Sequence, residues 1–241
     1  MEPSKTTVIT FAGSEAHEEM QEQFDVLYAK NFKRHVMYNR GWLESSGCAK
    51  KYDYLFSYRK YYGYFIWKPL IILDALRDNE SVLYCDSNLR FMNWSKFVDS
   101  FNRYNGVYIP RYNHYYNKDW TKRDAFVLMD ADRPQFWNAN QIWSVIMGFQ
   151  DSSIVQEILQ AYLGFCSNQS IVTELPNIYG ENLEGFIAHR WEQSVMSVLV
   201  EKYGVPCPLY NDLLGVIDKV YPKALLDIKV EVDKDPLKKI G

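Results

Sequence analysis

The sequence predicts an α/β domain with a central, mostly parallel sheet flanked by helices. Runs rich in β-formers alternate with stretches of helical spacing through the first half of the chain. Two of these runs end in small or polar residues, as strands do where ligand loops leave a parallel sheet. The 241 residues, 47% apolar and 24% charged, are enough to bury a core without disulfides or a structural metal.

The elements follow in order. Thr6–Ala12 is a β-rich run closed by Gly13 and Ser14, a strand leading into a turn and a helix start. Glu15 to Asn31 places Met20, Phe24, Leu27 and Tyr28 on one helical face. His35 to Tyr38 reads as a second strand. Pro69 opens a helix through Leu76, with Leu70, Leu73 and Leu76 at spacing three. Ser81–Cys85 is a short apolar strand ending at Asp86. Trp94–Phe101 reads as a helix and Val107–Ile109 as a strand. Thr121 and Asp124 form a capping pattern before Ala125–Met129. Ile142–Phe149 is strand-like, Ile154–Phe165 helical, and Ala188–Tyr203 a further helix with Val195, Met196, Leu199 and Val200 for the core. Residues 1–226 read as one domain. Residues 227–241, charged and carrying Pro236, read as a tail or a linker to a further domain.

Composition narrows the function. A net charge of -3 and a pI of 5.9 argue against a general nucleic-acid binder, which needs a basic excess. The N-terminus shows no secretory pattern and no stretch is apolar enough to span a membrane, so a cytoplasmic protein is expected. Cys48, Cys85, Cys166 and Cys207 lie far apart and read as reduced thiols. Aromatics make up 16% of the chain, with 19 tyrosines. They form either core or platforms for flat ligands.

Three segments carry chemistry. In Val82–Asn88 a buried strand delivers Asp86 to its carboxyl edge, with a second oxygen ligand, Asn88, two residues on. Side chains two apart lie on one side of an extended chain, and a metal holding a diphosphate needs such hard oxygens. The alternative is a plain strand-ending turn. From Tyr52 to Trp67 nine of sixteen residues are aromatic, Gly63 permits close approach of backbone, and Lys68 follows. Lys68, just before a helix start, suits a phosphate, or is a solvated lysine beside a hydrophobic hairpin. In His189–Ser194 a helix start puts His189, Glu192 and Gln193 on one face, as a ligand site or as a capped helix end. His17, His35 and His114 have no such company and read as surface or core residues.

Taken together, Gly63-Tyr-Phe-Ile-Trp-Lys-Pro69 with Leu73–Leu76 and Val82-Leu-Tyr-Cys-Asp86 resembles a motif of GT-A-type glycosyltransferases, Gly-Tyr-x-x-Trp-Lys-Pro followed by Tyr-x-Asp. Such proteins occur in bacterial surface-polysaccharide clusters and in large chlorella viruses. Thr121-Lys-Arg-Asp-Ala-Phe-Val-Leu-Met129, Gln141 with Gly148-Phe-Gln150, and His189-Arg-x-Glu-Gln-Ser194 with Leu199 and Lys202-Tyr-Gly204 resemble later motifs in the same order. The resemblance spans about Tyr52 to Pro206. Asn88 stands where the family carries a small residue or Asp, and Glu192 where it carries Asp.

The resemblance implies a GT-A-like single domain and transfer of a hexose or deoxyhexose from a nucleoside diphosphate sugar, UDP-linked, to a carbohydrate hydroxyl. It implies a divalent ion (Mn or Mg) on Asp86 and Asn88, with His189 as a further ligand. Lys68 would contact phosphate, and Thr10, Phe11 and Ala12 would lie by the base. Ser87 would join the donor site, with Tyr64 and Trp67 shaping its pocket. Glu192 and Asp132 are the candidate catalytic carboxylates. A second aromatic cluster, Tyr104–Trp120, would stack the acceptor sugar, with Tyr112 and Tyr115 as its candidates. A nucleotide sugar and a glycan are thus the expected partners. The rivals are a non-catalytic carbohydrate-binding protein, a sugar nucleotidyltransferase, whose basic phosphate loop Phe11–Glu15 lacks, and an inactive homologue.

Overall fold

The computed structural model describes residues 1–15, 17–18, 30–58 and 60–219. Most of the expected helix over 15–31 and the charged tail 227–241 lie outside these residues. The centre is a five-stranded sheet in the order β2-β1-β3-β8-β5. Its strands are β1 (Thr7–Ala12), β2 (Arg34–Asn39), β3 (Ser81–Cys85), β5 (Val107–Tyr108) and β8 (Ile146–Gln150). β1 pairs in parallel with β2 and with β3. β8 runs antiparallel to both β3 and β5, so four strands point one way and one against them. The expected mostly parallel α/β sheet is what the chain forms.

Alternation along the strands explains why the sheet is covered on both faces. Ile9 and Phe11 of β1, with Val82 and Tyr84 of β3, join the larger core. Val8, Leu83 and Cys85 point to the opposite core. Helices α1 (Trp67–Leu76), α3 (Ser153–Cys166) and α4 (Trp191–Lys202) pack into the first. Helix α2 (Trp94–Phe101) covers the second with Phe97 and Phe101, one turn apart. Helix α3 buries Val155, Ile158, Leu159, Tyr162 and Cys166, a helical stripe, and Ser152 caps it by accepting from the Val155 N–H.

Two small ribbons complete the described chain. β6 (Arg111–Tyr116) pairs with β7 (Asn140–Ile142). β4 (Leu89–Phe91) pairs antiparallel with β9 (Ile217–Lys219), Leu89 opposite Lys219. The second ribbon brings residues from the far end of the described chain back to the segment that follows Asp86.

Several local expectations are corrected. Helix α1 starts at Trp67, so Pro69 sits inside the first turn, where no N–H is required of it. Thr121 and Asp124 make no capping box. The Thr121 hydroxyl accepts from Gln141 instead, and the Asp124 carboxylate takes the N–H groups of Ile178 and Tyr179. The apolar run 142–149 breaks into two strands around Trp143–Val145. Helix α4 begins at Trp191, not Ala188. The Trp120 carbonyl holds the Arg190 N–H at 3.1 Å, and Trp191 enters the helix from φ 49. His189 therefore lies before the helix and shares no helical face with Glu192.

Candidate functional site

The carboxyl ends of β1, β2 and β3 open on one cleft of about 450 Å3, the position that open α/β sheets offer to ligands. Phe11, Gly13, Ser14 and His17 reach it from β1, Arg40 from the end of β2, and Tyr84, Asp86, Ser87 and Asn88 from β3. The fourth wall is aromatic: Tyr62, Phe65 and Trp67. These three are aimed by an unusual backbone, four consecutive left-handed residues from Tyr62 to Phe65. Only Gly63 adopts φ 70 without strain. The other three cost roughly 1 kcal/mol or more each, and such strain gathers at ligand sites. Phe11 stacks on Trp67 at 4.1 Å and 17°. The Arg40 guanidinium lies 4.0 Å over the Tyr62 ring. A side chain at Gly13 would come within 3.1 Å of that ring, so the glycine keeps the corner open.

A row of alternating charges runs beneath this cleft. Glu192 Oε1 accepts from Lys68 Nζ at 2.7 Å, both side chains buried. Lys68 Nζ also donates to the Ser144 carbonyl and hydroxyl, at 3.1 and 3.2 Å. It stands 3.9 Å from Asp86 Oδ1. Asp86 Oδ1 accepts from the Tyr84 hydroxyl at 2.6 Å, and Oδ2 accepts from Lys219 Nζ at 2.9 Å. Burial works to raise the Asp86 pKa, but Lys219 and Lys68, with the two hydrogen bonds, outweigh it and hold the carboxyl below its usual range.

A second, smaller cleft of about 190 Å3 adjoins the first. Tyr112, Tyr115, Trp120 and Trp143 line it, with Gln141, Val145, Arg190, Gln193 and Lys219. The rings meet edge to face: Tyr112 and Tyr115 lie 4.8 Å apart at 82°. Arg190 sits 4.5 Å over Trp120. The clefts share a wall, since Lys219 of the second bonds Asp86 of the first and the Val145 carbonyl accepts the Asp86 N–H at 2.8 Å.

Of the residues singled out from the sequence, Phe11, Trp67, Asp86, Ser87 and Asn88 meet in the larger cleft, and Tyr112 and Tyr115 in the smaller. Thr10 and Ala12 are buried in β1 and line neither cleft. The Thr10 hydroxyl is 2.8 Å from His35 Nε2. Tyr64 is buried against Tyr58 and Trp191. Lys68 is 4% exposed and faces Glu192, not solvent. Glu192, equally buried, sits under the wall between the clefts. Asp132 lines neither cleft: its oxygens accept from Arg123 at 2.7 Å and from the Trp137 indole at 3.1 Å. His189 also stands apart. Its Nδ1 accepts from the Lys122 N–H at 3.3 Å, and none of its partners is a partner of Asp86. Burial, with Lys122 adding to it and the Ile171 backbone opposing, pulls its pKa down to about 3.

The donor set does not fit a resident divalent ion. Such an ion needs several hard oxygens. Both Asp86 oxygens already accept from donors, one of them a cation, and Asn88 adds no charge. Among the described residues no three His, Cys, Asp or Glu side chains gather where a metal could bind.

Sequence reasoning missed Arg40, His17 and Lys219. Arg40 follows β2 directly, so the strand-end rule applied to His35–Tyr38 points to it. His17, read as a surface or core residue, lines the larger cleft and bonds Ser14 through Nδ1 at 2.9 Å. Burial lowers its pKa, with Asp86 opposing. Lys219 carries no sequence signal.

No family model and no curated protein matches the chain. Among solved structures it is similar to mouse xyloside xylosyltransferase 1 in its apo form, at 9% identity over 85% of this chain and 84% of that one, with a TM-score of 0.42. It is similar to a glycosyltransferase involved in the glycosylation of the major capsid of PBCV-1, at 11% identity over 76% and 81%, TM-score 0.38. It is also similar to the inositol-1-phosphate CTP transferase from T. maritima, at 6% identity over 98% and 99%, TM-score 0.40. At these identities and scores none of the three bears on the reaction. No helix among the described residues is long and apolar enough to cross a membrane.

Proposed function

We propose that the protein is a glycosyltransferase that moves a hexosyl or deoxyhexosyl group from a nucleoside diphosphate sugar, UDP-linked, to a carbohydrate hydroxyl. The observation that carries this reading is the pair of clefts meeting at Asp86: a strand-end cleft sized for a nucleotide, abutting an aromatic one suited to a sugar ring. The stacked Phe11 and Trp67 wall the donor side, and Arg40 supplies a cation there. Ser87 and Asn88 offer hydrogen bonds to ribose or sugar hydroxyls, and Asp86 accepts from a donor hydroxyl while fixing the lysines around it. Tyr112 and Tyr115 stack the acceptor.

In the transfer, the bond from the sugar's anomeric carbon to the diphosphate oxygen breaks and its electron pair stays on that oxygen. The acceptor hydroxyl oxygen forms the new bond. Asp86 is the one carboxylate among the described residues that line the clefts. The acceptor's proton is therefore assigned to the departing diphosphate oxygen, which goes with retention of the anomeric configuration. Glu192 is a positioning residue that holds Lys68, and Asp132 has no part in the step.

The test is a panel of nucleotide sugars screened for hydrolysis and transfer, with Asp86→Ala beside wild type. A loss of about a hundredfold or more in hydrolysis of the preferred donor is expected, the scale of removing an electrostatic group from such a site. Equal activity of the two proteins would remove Asp86 from the donor site.

A further inference from the structure

We propose that the Lys219 ammonium takes the place of a divalent cation at the donor site, holding the departing diphosphate, so that donor binding and transfer do not depend on added metal. This rests on the glycosyl-transfer reading and assigns that site its cation.

Three observations lead here. First, Lys219 already occupies the place at Asp86 that a metal would take, Nζ to Oδ2 at 2.9 Å, while the Tyr84 hydroxyl holds the other oxygen. A divalent ion binding Oδ2 must displace the ammonium, and Asn88, the oxygen donor two residues on in the same cleft, adds no charge. Second, the lysine is delivered by regular structure. β9 pairs with β4 and sets Lys219 opposite Leu89, the residue after Asn88. Third, the side chain is 28% exposed and lines the smaller cleft while bonding a residue of the larger one. It stands at the wall where the anomeric carbon must pass from diphosphate to acceptor.

The charges agree with this placement. Lys68 bonds Glu192 in the core and stands 3.9 Å from Asp86, so Lys219 is the cation in direct hydrogen-bond contact with Asp86. An ammonium carries three N–H donors. One holds Asp86 and the others are available to a phosphate on a flexible stem. When the glycosidic bond breaks, the growing negative charge on the diphosphate oxygen is met by these donors. No proton leaves the lysine, and none is required of it.

The experiment is calorimetry of UDP and of GDP on the full-length protein, in EDTA and again with Mn. Wild type, Lys219→Ala and Lys219→Arg are compared, each checked by its melting temperature. Wild type should bind one of the two nucleotides in EDTA with an affinity within about twofold of that in Mn. In EDTA, Lys219→Ala should lose about ten- to a hundredfold, the worth of a charge-assisted hydrogen bond, with part returned by Mn now that Oδ2 is open. Lys219→Arg should stay within about fivefold of wild type, since the cation is kept. Wild-type binding that vanishes in EDTA and returns with Mn overturns the proposal and leaves the transfer reading standing. So does a Lys219→Ala protein that folds and binds as wild type in EDTA. Absence of binding by either nucleotide, with or without Mn, overturns the transfer reading and this proposal with it.

Discussion

Replacing Lys68 by methionine removes the cation between Glu192 and Asp86 while keeping a side chain of similar length. Lys68 and Glu192 approach to 2.7 Å with side chains 4% and 3% exposed, so solvent screens the pair little. At an effective dielectric of about 20, that separation corresponds to about 6 kcal/mol of attraction. Desolvation of the two groups cancels much of this, and the measured cost of breaking such a pair by removing one partner is about 3–5 kcal/mol. Ser144 offers Glu192 a single hydroxyl at 3.0 Å, which leaves the estimate at the upper half of that range. In a domain of this size the melting temperature should fall by roughly 10 °C. Glu192→Leu alone should cost a similar amount, because it strands Lys68. The double variant Lys68→Met with Glu192→Leu should lose much less than the sum, since no buried charge remains from the pair. Urea unfolding of the four proteins gives the coupling energy directly. Single variants that each lose under about 1 kcal/mol, or a double variant that loses the full sum, would refute the reasoning.

Alanine at Tyr112 or Tyr115 should raise the acceptor's apparent KM by about ten- to a hundredfold, the worth of one stacking platform, while donor hydrolysis changes little; steady-state kinetics with each substrate varied in turn separates the two. Arg40→Ala should weaken UDP binding by about tenfold, and a weaker effect on UDP than on the free sugar would remove Arg40 from the donor side. The imidazole of His189 is neutral when folded, with its pKa lowered from the usual 6.5 to about 3. The unfolded chain takes up that proton first, so stability is complete above pH 6.5 and falls as the pH drops toward 3, by up to about 4–5 kcal/mol. His189→Gln, which keeps an acceptor for the Lys122 N–H, should flatten that acid limb in urea melts run across the range. An NMR spectrum of the first product should show the donor's anomeric configuration; inversion would mean that a carboxylate takes the acceptor's proton.

How much was legible depended on how local the cause was. β1 and β3 could be read because β1 is rich in β-branched residues, β3 is a short apolar run, and the two are punctuated by Gly13 and Asp86; Asp86 followed from the strand end. The aromatic cluster at Tyr104–Trp120 pointed to the residues of the smaller cleft because Tyr112 and Tyr115 lie on one strand, β6. Lys68 misled: beside a helix start it reads as a phosphate ligand, but its partner is 124 residues away and no local pattern announces it. His189 misled for a related reason. The run from Ala188 has good helical composition, and a tertiary bond from the Trp120 carbonyl, not propensity, sets the start at Trp191. Lys219 sits in a short ribbon strand whose partner, β4, is just three residues long, too little pattern to predict pairing.

The row from Glu192 through Lys68 and Asp86 to Lys219 has a kinetic meaning as well. Its outer links join residues 124 and 133 positions apart in the chain, while helices α1 to α4 are local. Closing loops of that length costs entropy that local elements do not face, and such contacts form late. The strand pairs of β1, β2 and β3 and the apolar core need none of these charges to assemble. On dilution from denaturant, far-ultraviolet circular dichroism should therefore recover ahead of nucleotide binding, and the lag between the two signals times the arrival of β9 on β4. On the glycosyl-transfer reading, the donor cleft is complete only when two segments 133 positions apart have found each other.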